Sequence, residues 1–169
     1  MKYNNENVRR SDRLMDEERA TELLRTSEYG ILSMVADESG YGIPINYVWD
    51  GADSLYLHCA PEGRKLQALE SNPRVSFCIV GKVNLLPSKF TTEYESIILK
   101  GVAHTHLSEE ERMDALHLII DKFSADYKDI GDKYAHKSFH RVKIIRLDIS
   151  EMSGKRKSVK PNEAGFRNI

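Results

Sequence analysis

The stretch of sequence that decides the fold is PINYVWDGADSLYLHCAPEGRKLQALESNPRVSFCIV, residues 44–80. A β-rich run turns at Asp50-Gly51 into a second run over 54–59, after which the spacing becomes helical over 63–71, with Leu66 and Leu69 on one face. Asn72-Pro73 ends the helix, because the residue before a proline disfavours helical geometry, and a further run follows over 75–80. This order predicts an antiparallel meander interrupted by one short helix.

The sequence on either side of this stretch adds more strands and two longer helical segments. We predict strands over 30–35, 42–49, 90–92, 96–106 and 142–149, and a loop over 81–89 that carries Pro87 and borders a site. We predict helices over 16–25 and after Ser108, where Ser108-x-x-Glu111 fits a capping box, and a polar connection with some helix over 125–139. Six or seven short strands and about three helices predict a mainly β fold, an antiparallel barrel with flanking helices.

Length and composition fit one globular domain. The chain has 169 residues, of which 40% are hydrophobic and 30% charged, so broad disorder is excluded. We expect a flexible N-terminal segment over 1–13, the barrel domain over 14–155 and a flexible, Lys-rich C-terminal tail over 156–169.

Charge and cysteine content limit the partners and the compartment. The net charge is −1 and the pI about 6.6, which predicts no nucleic-acid partner and no membrane partner. Cys59 and Cys78 lie in apolar runs and are expected to be free, buried thiols, which favours a reducing compartment, the cytoplasm. We find no signal peptide and no transmembrane run.

A candidate anion site follows the second strand of the quoted stretch. Gly63-Arg64-Lys65 opens a helix with two cations, at the end where free N–H groups and the helix dipole already attract negative charge. Arg64 has the geometry to bind a phosphate through two hydrogen bonds, and Lys65 adds a point charge. The alternative, two solvated surface cations at an ordinary helix start, is left open by the spacing.

The preceding strands carry residues that could line a groove leading to this anion site. Asn46 and Tyr47 lie on the strand that precedes the one ending in His58, and strand alternation places Tyr47 and Trp49 on one face and Asn46 on the other. An aromatic pair on a strand is also typical of a core, and that alternative stays open.

Two histidine pairs are candidate metal ligands. His104-x-His106 and His136-x-x-x-His140 each provide half of a metal site, and neither has a clear third ligand, so we predict no metal. The sequence contains no dinucleotide fingerprint, Walker loop or nucleophile elbow. No acid, base or nucleophile can be identified from spacing, and the catalytic residues are unknown.

Taken together, these motifs resemble the flavin-binding split barrel of the pyridoxamine 5'-phosphate oxidase superfamily. The quoted stretch carries the resemblance, with the Arg-Lys helix start and the Asn-Pro-Arg-Val-Ser strand. Phe90-Thr91-Thr92, the run over 94–103 and the ending over 149–155 resemble more closely the nitroimidazole-resistance branch. That branch can carry a His where Arg64 stands, and the substrate-binding Arg and His of true pyridoxamine phosphate oxidases have no match at this C-terminus.

The resemblance implies a homodimer with two FMN sites at its interface. It assigns Arg64 and Lys65 to the phosphate, and Ile45, Asn46 and Tyr47 to the flavin ring. It places His58 and Cys59 beside the ribityl chain, and it makes Ser96 a residue that reaches the flavin of the other subunit. FAD is the alternative cofactor.

The function that the resemblance implies is an FMN-dependent oxidoreductase that reduces nitroimidazole or a related small aromatic acceptor. One alternative is a non-catalytic protein that binds or stores flavin. Another is a haem-binding split barrel, for which His58 is the candidate axial ligand.

Overall fold

The computed structural model describes residues 1–159 and consists of eight strands and four α-helices. The strands are β1 (Lys2–Tyr3), β2 (Tyr29–Ala36), β3 (Ser39–Asn46), β4 (Val48–Trp49), β5 (Ser54–Cys59), β6 (Arg74–Leu86), β7 (Thr91–His104) and β8 (Lys143–Lys157). The helices are α1 (Glu17–Thr26), α2 (Arg64–Ser71), α3 (Glu109–Phe123) and α4 (Lys128–Ser138). The mainly β fold with flanking helices is therefore confirmed, with more strands than the six or seven predicted.

All eight strands form one sheet in the order β3-β2-β6-β7-β8-β5-β4, with β1 added to β8. Every pairing is antiparallel except that of β1 with β8. The two ends of this order, β3 and β4, are joined in the chain by the single residue Tyr47. The sheet must therefore curl until its two edges meet, which gives a barrel that stays split between β3 and β5.

The core lies inside the curled sheet and consists of alternate residues on its long strands. Seven of these side chains are completely buried: Leu32, Phe77, Ile79, Ile97, Leu99, Ile145 and Leu147. α1 covers this core with Ala20, Leu23 and Leu24, and α2 adds Leu66 and Leu69. Both helices thus have the apolar face that the sequence predicted.

Local sequence explains why the helices begin where they do. The Asp16 carboxylate accepts a hydrogen bond from the Arg19 backbone N–H at 2.8 Å, and the Ser108 hydroxyl accepts one from the Glu111 N–H at 3.1 Å. Arg19 then fastens α1 to β7, because its guanidinium donates to both carboxylate oxygens of Glu95, at 2.6 and 3.0 Å.

The predicted loop over 81–89 is wrong. β6 continues to Leu86 and pairs with β7 from Thr91 onward, so the segment is the end of a long hairpin closed by a short 3-10 turn. Pro87 is the reason for the error, since it reads as a strand breaker but occupies the first position of that turn. Phe90 lies in the left-handed region, with φ +48°, before β7 begins.

The structure describes all of the predicted N-terminal segment and only part of the predicted C-terminal tail. Residues 1–13, expected to be flexible, include strand β1, and the Tyr3 hydroxyl donates a hydrogen bond to the carbonyl oxygen of Met15. β8 continues to Lys157, two residues beyond the boundary predicted for the domain. Residues 160–169 of the predicted tail lie outside the described residues.

Candidate functional site

The N-terminus of α2 is open toward solvent. Gly63 is the N-cap residue, with φ +133°, a conformation that residues with a Cβ rarely adopt. Within residues 1–159 no side chain caps this helix, and its first turn contains no acidic residue. The N–H groups of the first turn therefore face outward without a competing carboxylate on the helix itself.

Two cations lie in the first turn of this helix, and a third lies opposite Cys59, the last residue of the strand before it. Arg64 and Lys65 belong to its first turn, as the sequence predicted. Lys143, the first residue of β8, lies directly opposite Cys59 in the pairing of β5 with β8. Burial raises the pKa of the Cys59 thiol, while the ammonium groups of Lys65 and Lys143 act in the opposite direction.

Lys143 was not predicted from the sequence. It stands at the start of a strand among other charged residues, and only the register of β5 with β8 brings it to the site. No local motif in the sequence predicts the register in which β5 pairs with β8.

The guanidinium of Arg64 reaches the hairpin between β2 and β3. Its Nη2 donates a hydrogen bond to the Asp37 carboxylate at 3.1 Å, and its Cζ lies 4.6 Å from the ring centroid of Tyr41. Asp37 and Glu38 form the two-residue turn of this hairpin, both with positive φ. This turn therefore supplies a partner of the first cation.

β3 and β5 lie on the two sides of the split in the barrel. β3 and β5 contact each other across the split of the barrel. Tyr41, Ile43 and Ile45 on β3 and Cys59 on β5 are partly buried and pack against the core. Apolar side chains therefore lie near the Arg64 guanidinium, which contacts Tyr41, a combination that suits a flat ring system carrying an anionic tail.

The predicted site residues on β3 and β5 divide between two faces of the sheet. Ile45 and Cys59 turn toward the core, whereas Asn46 and His58 are exposed on the opposite face. Partial desolvation lowers the pKa of His58, which favours the neutral form of its imidazole. A ligand that contacts all four residues must lie along the edge where the split exposes both faces.

A protein-family model described as pyridoxamine 5'-phosphate oxidase matches residues 16–156, which is most of the chain. The chain belongs to this family. The family resemblance drawn from the sequence is thereby confirmed, and the matched region covers the barrel from the N-cap of α1 to the end of β8. No curated protein matches the sequence.

Solved structures similar to this family member support the fold. One is a proposed 5-nitroimidazole antibiotic resistance protein from Bacteroides thetaiotaomicron, with 23% identity, a TM-score of 0.68, and coverage of 85% of this chain and 86% of that one. A FAD and haem binding protein from Mycobacterium smegmatis has 20% identity, a TM-score of 0.70 and coverage of 89% and 75%. A FAD-binding protein from Mesorhizobium loti has 20% identity, a TM-score of 0.60 and coverage of 86% and 98%.

The prediction that the Tyr47 side chain lines a ligand is wrong for this family member. Tyr47 is 1% exposed, its hydroxyl donates to the Leu24 carbonyl oxygen at 2.5 Å, and its ring packs edge-on against Phe77, with centroids 5.2 Å apart. Trp49 packs against the same core cluster as Tyr47 and Asn46 is exposed, as the alternation predicted, although β3 ends at Asn46 and β4 begins at Val48. The core alternative is the correct one for Tyr47.

Ser96 lies apart from the other predicted site residues within one chain. It is on β7, which is separated from β3 by β2 and β6, about 14 Å at the usual spacing of strands. Its side chain borders a groove of about 210 Å³ that Lys155 also lines. The proposed contact of Ser96 with a ligand of the other subunit stays a prediction.

The histidine pairs have other neighbours than the sequence suggested. His104 Nε2 lies 3.0 Å from Asp148 Oδ2, and the ring of His136 lies 6.4 Å from that of His117 on α3. Among residues 1–159, no group of three or more His, Cys, Asp or Glu side chains is arranged to hold a metal ion. In the same part of the chain no helix has the length and apolar run needed to span a membrane.

Proposed function

We propose that the protein is an oxidoreductase that binds FMN with the phosphate at the N-terminus of α2 and the ring along β3. The observation that carries this proposal is an uncapped helix start with Arg64 and Lys65 in its first turn, close to the partly buried apolar side chains of β3 and to Cys59, which lies opposite Lys143. These donors fit a phosphate monoester, which accepts several charge-assisted hydrogen bonds at once. Flavin binding in two of the similar structures supports the choice of cofactor.

At the ring end, Asn46 is the polar residue with a free acceptor. Its Nδ2 is already used, because it donates to the Glu28 carbonyl oxygen at 3.1 Å. Its Oδ1 therefore remains to accept a hydrogen bond from an N–H group of the ring. Ile45 supplies apolar contact, and His58 and Cys59 would flank the chain that links the ring to the phosphate.

The chain's contribution to the reaction is binding, orientation and exclusion of water. A bound flavin supplies the electron transfer itself. Apart from Asp37, which pairs with Arg64, the residues that we assign to the site include no carboxylate, so no essential general base is expected at the ring end. A small aromatic or quinonoid acceptor stacked on the ring is the proposed substrate class, and nitroimidazole is one member of it, supported by the similar structure from Bacteroides thetaiotaomicron.

We also propose that two copies form the complete site. On the face of the sheet away from the core, one transverse row runs through five strands in register: Pro44, Ile31, Cys78, Ile98 and Ser153. Ile98 in this row and Val80 beside it are 44% and 57% exposed, which is unfavourable for a monomer in water. A second copy that covers the row would bring its Ser96 toward the split between β3 and β5.

The dimer is tested by light scattering with and without FMN. We expect a mass of about twice 19.4 kDa, and Ile98→Asp, which puts a charge in the row, should give monomers that bind FMN weakly. The matched control is Lys100→Asp, one step further along the same face of β7, which keeps the apolar row intact. A wild-type monomer that binds one FMN tightly would refute the shared site.

The reaction is tested by anaerobic reduction followed by rapid mixing with nitroimidazoles and quinones. The bound cofactor should show the two visible absorption bands of a flavin and should be reoxidised by at least one acceptor faster than free reduced FMN. If no acceptor is faster, the protein binds or stores flavin without catalysing its oxidation. A Soret band in the purified protein would instead point to haem.

A further inference from the structure

Lys122 is a lysine whose ammonium group points into the protein. It belongs to the last turn of α3, and its Nζ donates hydrogen bonds to the carbonyl oxygens of Ser27, at 2.6 Å, and Tyr47, at 2.9 Å. The same Nζ lies 4.1 Å from the ring centroid of Tyr47. One side chain thus joins α3, the C-cap of α1 and the residue between β3 and β4.

Two further hydrogen bonds tie the same two segments together. The Tyr47 hydroxyl donates to the Leu24 carbonyl oxygen at 2.5 Å, and the Asn46 amide donates to the Glu28 carbonyl oxygen at 3.1 Å. The junction of β3 and β4 is therefore fixed to the end of α1 at three points. Among these three points, the contacts of Lys122 come from a third element, α3, and not from the two segments that are joined.

Lys122 lacks the environment of a surface cation. Burial lowers its pKa to about 8, against a small opposing effect of the nearby Glu28 carboxylate. Desolvation of a lysine is unfavourable unless its donors are paired, and here two of the three donors meet backbone carbonyls. The Lys122 ammonium group therefore holds these two carbonyl groups in place.

We propose that Lys122 is a positioning residue for the ring end of the flavin site. By holding the Tyr47 carbonyl it fixes the backbone at Asn46, whose Oδ1 we assign to the ring, so the inference rests on the proposed flavin site. Lys122 does not itself touch the ligand. Its effect is confined to the ring end, because Arg64 and Lys65 belong to a different element, α2.

The test uses Lys122→Met, which keeps an unbranched side chain one atom shorter than lysine and removes its donors. Riboflavin, which lacks the phosphate, is the probe. The Met variant should bind riboflavin about tenfold more weakly than wild type, in line with the loss of one well-placed contact, and should shift the visible band of the bound ring. Lys122→Arg, which keeps charge and donors, should restore most of the affinity.

Lys128→Met is the matched control. Lys128 is also a lysine of the α3–α4 region, but it is exposed and pairs with Asp121. This variant should bind riboflavin like wild type. If Lys122→Met does not fold, Lys122→Gln, which keeps one amide donor, replaces it and should bind about threefold more weakly.

The outcomes separate this inference from the proposed function. If a folded Lys122→Met or Lys122→Gln variant binds riboflavin with the affinity and spectrum of wild type, Lys122 has only a structural role and the inference is wrong. If the wild type binds neither riboflavin nor FMN, the flavin site itself is refuted. A tenfold loss in the Met variant with restoration by Arg supports the positioning role, since a general loss of stability would not shift the spectrum of the bound ring.

Discussion

Arg64 Nη2 lies 3.1 Å from Asp37 Oδ2, so the first cation of α2 is paired with the turn of the hairpin between β2 and β3. Both side chains are exposed, Arg64 to 55% and Asp37 to 83%. A pair this exposed contributes little to the stability of the fold. The pair matters for ligand binding, because a phosphate that binds Arg64 must share it with the Asp37 carboxylate.

Asp37→Asn should therefore strengthen the binding of FMN. Removing the negative charge frees the guanidinium and ends the repulsion between carboxylate and phosphate, an effect of up to about fivefold at an exposed site. The gain should disappear in high salt. Titration of FMN followed by flavin fluorescence measures it, with Glu38→Gln, the other acidic residue of the same turn, as control. Equal gains in both variants would mean that general charge, and not the pair with Arg64, is responsible.

Gly101→Ala should destabilise the barrel. Gly101 lies at the bulge where β7 pairs with β8, and a Cβ at this position would overlap the carbonyl oxygen of Asp148. Because the obstacle is backbone, we expect a loss of about 2 to 3 kcal/mol in the free energy of unfolding, measured in urea. Gly40→Ala, where a Cβ meets nothing within 4 Å, is the control and should change stability by less than about 0.5 kcal/mol.

Tyr47→Phe should lower stability through one lost hydrogen bond. The Leu24 carbonyl oxygen loses its hydroxyl donor in a buried setting, at a cost of about 1 to 2 kcal/mol. Tyr29→Phe, at a tyrosine that is 59% exposed, should cost less than about 0.5 kcal/mol. Equal urea midpoints for the two variants would contradict the buried position of Tyr47.

The pKa of Lys122 predicts the direction of a pH dependence. The native pKa is about 8 and the ordinary value 10.5, so between these values the unfolded chain keeps a proton that the native protein has released. The contribution of Lys122 to the free energy of unfolding should therefore increase as the pH rises from about 8 toward 10. The measurement is the difference in that free energy between wild type and Lys122→Met, which removes the contribution. A difference that falls over this range would contradict the burial of the ammonium group.

Much of the fold was predictable because its signals are local. The cap residues Asp16 and Ser108, the Asp50-Gly51 turn and the Asn72-Pro73 boundary each act on neighbouring residues, and the helices and strands begin close to where they predict. The long hairpin of β6 and β7 was not predictable in the same way. Its two strands continue to pair with each other past the end of the other strands. This pairing outweighs the tendency of Pro87 to end a strand.

The candidate site was predictable only in part, for a related reason. Arg64 and Lys65 follow a local rule, the anion affinity of a helix start, and they are where the sequence placed them. Lys143 and Asp37 join the site through strand register and through a contact across 27 residues, which no spacing in the sequence encodes. Tyr47 follows the predicted alternation, but the face that it shares with Trp49 is the core, which strand alternation alone does not reveal.

The central claim is that the cations at the start of α2 bind the phosphate of a flavin. Titrating FMN, FAD and riboflavin into the protein without bound cofactor tests it most directly, with Lys65→Ala and Lys143→Ala beside the wild type. We expect FMN to bind about tenfold or more tightly than riboflavin, and each Ala variant to weaken FMN by about tenfold while leaving riboflavin unchanged. Equal affinity of the wild type for riboflavin and FMN, or unchanged FMN affinity in both variants, would contradict the account.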